Sequence, residues 1–194
     1  EQFVDLEAVE DEVAITSLRR RIAAMAEIRK HPIEFEAVVT HDTVATIHRA
    51  ASELAPEWTI LEWAGRRNRD LFIRNPRLWL HRHMPSNLAL YHDAGVRYFR
   101  EILVYPIPGP DDALVVETAG HLATTYGASL TFIAFVDTAD DSTEVQRQAD
   151  YLDQIQQLSE LDSDSKIVRG QDFVGAMAEA TTGFDLLVMG APIE

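Results

Sequence analysis

Short apolar runs alternate with longer stretches of helical periodicity along nearly the whole chain, and no other feature restricts its fold as much. Residues 8–30 place Ile15, Leu18, Ile22 and Met25 at helical spacing, behind the acidic group Glu7, Glu10, Asp11 and Glu12 and ahead of Arg29 and Lys30. Ile33, Phe35, Ala37 and Val39 then alternate with Glu34, Glu36 and Val38, the pattern of a strand over 33–39. Asp42 stands as a cap before a helix with Val44, Ile47, Ala51 and Leu54 on one face. Trp58 to Trp63 reads as a strand, Asn75-Pro76 as the start of a short helix to about Met84, and Asn87 to His92 as another strand.

After "HDAGVRYFR", which reads as a linker, the alternation resumes. Glu101–Tyr105 is a strand, Asp111–Tyr126 a helix with Gly127 as its C-cap, and Ser129–Val136 a strand. A polar loop leads to a helix over 143–161, then a brief strand at Lys166–Val168. A helix after Asp172 and a strand over Phe184–Met189 ending at Gly190 complete the series. Strands separated by helices of this length imply βαβ units and parallel sheets.

The chain repeats itself. Residues 41–65 run parallel to 171–191: Asp42 matches Asp172, Val44 Val174, Ile47 Met177 and Ala50 Ala180, with the closing strands aligned near Leu61 and Val188. Two related α/β units, 1–96 and 97–194, are therefore expected rather than one larger sheet.

Composition narrows the function. The net charge is −15, of which the first unit carries −3 (12 basic, 15 acidic) and the second −12 (5 basic, 17 acidic), so nucleic acid is not an expected partner. Two lysines, Lys30 and Lys166, stand against fifteen arginines, a balance that fits adaptation to high salt or an arginine-rich codon bias. The absence of cysteine excludes disulfides, thiolate catalysis and thiolate metal sites. No apolar run approaches the ~20 residues of a membrane span, so the segment is not expected to insert in a membrane. His81 and His83, two apart in a helix, fall on different faces and do not make a shared metal site. Thr40-His41-Asp42 reads as a turn and cap. No nucleophile elbow, P-loop or carboxylate pair is present, so neither a catalytic residue nor a metal site is expected.

The segments "REILVYPIPGPDDALVVETAGHLATTYGASLTFIAFVD" (100–137) and "FDLLVMGA" (184–191) resemble the first strand to second strand, and the fourth strand, of the universal stress protein family. "LRRRIAAMAEIRKHPIEFEAVVTHDTVATIHRAASELAPEWTILEWAG" resembles the family's later portion, from its second helix to its fourth strand. In order and spacing the likeness covers nearly the whole chain. It extends to the tandem version found as the cytosolic C-terminal region of amino acid–polyamine–organocation permeases, through Trp63-Ala64-Gly65, the stretch Arg66–Arg77 and Asp93-Ala94-Gly95.

The resemblance implies an α/β fold of two Rossmann-like units, each with a parallel sheet flanked by helices. The first would lack its opening βαβ portion and the second its last helix and strand, as in a piece of a longer polypeptide. Sheet edges left open in this way favour pairing, and a homodimer is expected, with the transmembrane part of the same transporter as a second partner.

In nucleotide-binding members of the family, ATP lies between the ends of strands one and four. An aspartate closes strand one, and the run Gly-x-x-Gly followed further on by Gly-Ser or Gly-Thr comes after strand four. Here Gly65 remains, Asn68 stands at the second glycine and Leu78 at the later one. Strand one of the second unit ends at Tyr105-Pro106 without an aspartate, and Gly109 and Gly190 occupy the remaining loop positions. Asp111 and Asp112 at the next helix start would repel a phosphate. Gly65, Asn68, Pro106, Gly109 and Gly190 thus mark a degenerate nucleotide site, and no cofactor is expected. Arg66, Arg67, Arg69, Arg74 and Arg77, with Arg82, form a cluster open to three readings: a contact surface for an acidic partner, a small-anion site, or solvated charge on an acidic protein. The expected function is a non-catalytic regulatory or scaffolding domain on the cytoplasmic side of the membrane. The alternative is a free-standing stress protein that senses ATP or AMP.

Overall fold

The computed structural model describes residues 13–62, 76–159 and 161–191, with the side chains of 76–78 excepted. Its packing divides into two compact units, 1–93 and 94–194. Each is an α/β arrangement with parallel strands.

In the second unit, β3 (Glu101–Tyr105), β4 (Ser129–Asp137), β5 (Ser163–Gly170) and β6 (Leu186–Met189) form a sheet in the order β5-β4-β3-β6, parallel throughout. The helices α4 (Asp112–Tyr126), α5 (Ser142–Ser159) and α6 (Phe173–Ala180) make the crossovers. Ile102, Leu103 and Val104 of β3 are all fully buried. A strand flanked on both sides and covered on both faces needs a continuous apolar run, which is what "ILV" supplies. Ile102 and Val104 join Phe132, Ala134, Val116, Ala119, Leu152 and Ile155 on the face covered by α4 and α5. Leu103 and Ile133 point the other way, against Met177 of α6 and the half-buried Tyr105, Phe173 and Leu187. Gly127 ends α4 at φ +65°, its N–H donating to the Ala123 carbonyl, a conformation that favours glycine.

The first unit comprises α1 (Val13–Arg29), α2 (Thr43–Leu54), β1 (Trp58–Glu62), α3 (Pro76–His83) and β2 (Asn87–Tyr91). β1 and β2 pair in parallel from Trp58 opposite Asn87 to Glu62 opposite Tyr91. The repeated caps are both formed: Asp42 Oδ1 accepts the Ala45 N–H at 3.0 Å, and Asp172 Oδ2 accepts the Gly175 N–H at 2.7 Å. Each satisfies an orphan donor at the start of its helix.

Two expectations are corrected. Residues 31–40 form no regular element, so the strand expected at 33–39 is absent. Alternation supplies the faces of a strand but not the neighbour whose backbone completes it, and no described strand lies against this segment. Ile33, Val38 and Val39 are consequently exposed. The second concerns β5, which runs from Ser163 to Gly170 rather than 166–168. β4 offers it a ladder from Leu130 to Asp137, and that ladder sets the length of this polar strand.

Candidate functional site

In the four-stranded sheet the chain runs outward from β3 through β4 to β5, then crosses back to place β6 on the other side of β3. The strand order reverses between β3 and β6, and their carboxyl ends open on the crevice where ligands of such sheets bind. A cavity of about 160 Å³ lies there, lined by Ile107, Pro108, Gly109, Asp111, Val115, Gly190 and Ala191.

The local sequence explains its shape. β3 ends at Tyr105, and Pro106 is fully buried beneath the turn. The loop 107–110 then crosses to α4, whose start is held by the Val115 N–H donating to the Asp111 carbonyl at 3.2 Å. On the other side, the Gly190 N–H continues the ladder by donating to the Tyr105 carbonyl at 3.2 Å. A Cβ placed on Gly190 would lie 3.4 Å from the Ile107 nitrogen and 3.5 Å from its Cβ. A side chain at 190 would therefore be in ordinary van der Waals contact with the 107 loop, which runs beside Gly190 in the cavity wall.

The electrostatics disfavour a phosphate. None of the seven lining residues is basic, and the one ionisable group, Asp111, makes no side-chain cap bond to its helix. Its neighbour Asp112 receives the Tyr151 hydroxyl at 3.4 Å; burial and then this carboxylate push the Tyr151 phenol well above its usual range. Tyr105, beside Phe173, is also raised by burial. A phosphate entering here meets the Asp111 carboxylate at the helix start, where charge complementarity would demand cations or bare N–H groups.

Of the expected site positions, the structure brings Gly109 and Gly190 together in the cavity wall and puts Pro106 under it. Gly65, Asn68, Arg66, Arg67, Arg69 and Arg74 lie outside the described residues, as does the side chain of Arg77. Ile107 was not singled out by the sequence, because a loop hydrophobe carries no pattern that says which wall it lines; Val115 of α4 reads in the sequence as an inward-facing helix residue, not as a site residue. Asp185 was also missed. Its Oδ2 accepts the backbone N–H groups of Arg100 and Glu101 at 2.8 and 3.2 Å, fixing the start of β3 beside the start of β6. These bonds hold its carboxyl below the usual carboxylate range. No helix among the described residues is long and apolar enough to cross a membrane.

A parallel sheet with helices on both faces places the second unit among the doubly wound, Rossmann-like α/β folds. Several of the solved structures that match this chain are universal stress proteins. A structure assigned to that family from Pseudomonas aeruginosa UCBPP-PA14 is 13% identical with a TM-score of 0.65, over 99% of this chain and 69% of that one. A universal stress protein from Archaeoglobus fulgidus DSM 4304 is 13% identical with a TM-score of 0.61, over 98% and 70% of the two chains. A functionally unknown protein from Pseudomonas aeruginosa PAO1 matches at 15% identity and a TM-score of 0.63, over 99% and 69%. At these identities the likeness is one of fold. No protein-family profile matches the chain, and no curated protein matches it.

Proposed function

We propose that the chain is a non-catalytic regulatory domain of the universal stress protein type, acting by contact rather than by nucleotide chemistry. The observation that carries this reading is the seating of Ile107 against Gly190 in a cavity whose one ionisable group is Asp111. The finer part of the proposal is the cytosolic domain of an amino acid transporter, supported by the tandem resemblance at Trp63-Ala64-Gly65, Arg66–Arg77 and Asp93-Ala94-Gly95. In that setting the arginines 66, 67, 69, 74 and 77 serve as a contact surface for an acidic partner. The chain works as a homodimer, a reading supported by the open outer edges of β1 and β6 among the described residues.

The coding sequence upstream of Glu1 tests the transporter assignment. A series of apolar spans of about 20 residues each is expected there; a start codon a few residues upstream would overturn it. Sedimentation in molar salt tests the dimer, and a monomer across the accessible concentration range would contradict it. Reversing the charge at Arg66, Arg67 and Arg69 should weaken that association, and an unchanged dimer would remove the arginine contact.

The second reading, a stress sensor that binds ATP or AMP, is favoured by the cavity's place at the strand-order reversal.

A further inference from the structure

A second cluster of chemistry-bearing side chains lies within the first unit, where α2 meets α3. His83 stacks on Trp79, with ring centroids 4.4 Å apart and planes 12° from parallel, while His48 of α2 meets the same indole edge-on at 5.3 Å. His83 Nδ1 lies 2.7 Å from the Trp79 carbonyl oxygen, and His48 Nε2 lies 3.1 Å from the His83 carbonyl oxygen. A carbonyl can only accept, so both ring nitrogens carry hydrogen and donate. The two imidazoles thereby satisfy carbonyls at the end of α3, one from within the helix and one from across the helix pair. Trp79 is 42% exposed, so solvent and protons reach the group.

We propose that this cluster is a proton-responsive clasp in which His83 takes the proton and tightens the end of α3, where α2 meets it, on acidification, giving the regulatory domain a pH signal. Adding a proton to the His83 ring breaks neither bond, because both are donations. It places a cation on the face of an indole, where the ring quadrupole attracts it. It also adds positive charge at the carbonyl end of a helix, the favourable end of the dipole. Arg49 and Glu53 of α2 and Arg82 of α3 are the other described charged groups of these helices. His81 is two residues from His83 and lies off the indole stack.

The proposal names a signal for the regulatory reading, and its test is independent of nucleotide and transporter. Hydrogen exchange of the Met84 amide, which donates to the Leu80 carbonyl at 2.8 Å, reports the end of α3 in the full chain. Corrected for intrinsic rates, its protection should rise about two- to fivefold between pH 8 and pH 5.5, the range expected of an exposed cation–π contact. His83→Phe keeps a ring on Trp79 but takes no proton, and His83→Gln removes both; each should abolish the response, while His81→Gln keeps it. Flat protection in the parent chain, a response that survives in His83→Phe, or one lost in His81→Gln would each overturn the proposal.

Discussion

Asp185 shows how one carboxylate can hold a fold that is otherwise apolar. It accepts two backbone N–H groups from the start of β3, and its folded-state pKa is depressed by them. The sign follows: this stabilisation is fully present above the carboxyl's unfolded value and is lost as pH falls through the folded one. Denaturant midpoints of the parent chain and of Asp185→Ala should therefore differ at neutral pH, the parent being higher, with the gap narrowing below about pH 4. A gap independent of pH would show that the charge plays no part. Gly170 makes a second prediction. An added Cβ there would meet the Ala176 Cβ at 2.7 Å, whereas one at Gly120 has its nearest neighbour at 3.7 Å. Gly170→Ala should cost about 1–3 kcal/mol in urea unfolding. Gly120→Ala, inside a helix, should gain about 0.5–1 kcal/mol.

Among the elements, legibility tracks burial. The apolar cores of β3, β4 and α4 could be read because their packing is written in their own residues: Ile102, Leu103 and Val104 sit under cover on both faces. The caps were equally readable, since Asp42 and Asp172 need only a partner three residues on. Alanine at either cap should cost about 1 kcal/mol, read as a drop in the denaturant midpoint of the unit that holds it. The segment 33–39 has the right alternation and no strand beside it, and a sequence pattern does not record a missing neighbour. Positions at the cavity could be located from the glycines, but the surroundings of Gly190 depend on where Ile107 lands. The stack of His83 on Trp79 was not read from the sequence, although the two stand four apart, and His48 reaches them from 35 residues away.

At the scale of the whole molecule, the described residues of the two units differ in how much apolar surface they close. Of the buried hydrophobic residues among those described, Ala51 and Leu80 belong to the first unit and the other fourteen to the second. Large hydrophobics such as Val13, Ile28, Leu54 and Ile60 stay exposed in the first. Amides of α2 and β1 should accordingly exchange faster than those of β3 and β4, and brief proteolysis should leave a core beginning near Ala94. Equal protection in the two units would contradict that ranking.

On the proposed regulatory reading the switch-point cavity serves no nucleotide: Ile107 and Gly190 line it side by side, and Asp111 and Asp112 make the adjoining helix start acidic. Calorimetric titration of the full chain with ATP at high salt tests this most directly. The account predicts no saturable heat; a one-to-one isotherm of micromolar affinity, lost when Gly190 is replaced by valine, would contradict it.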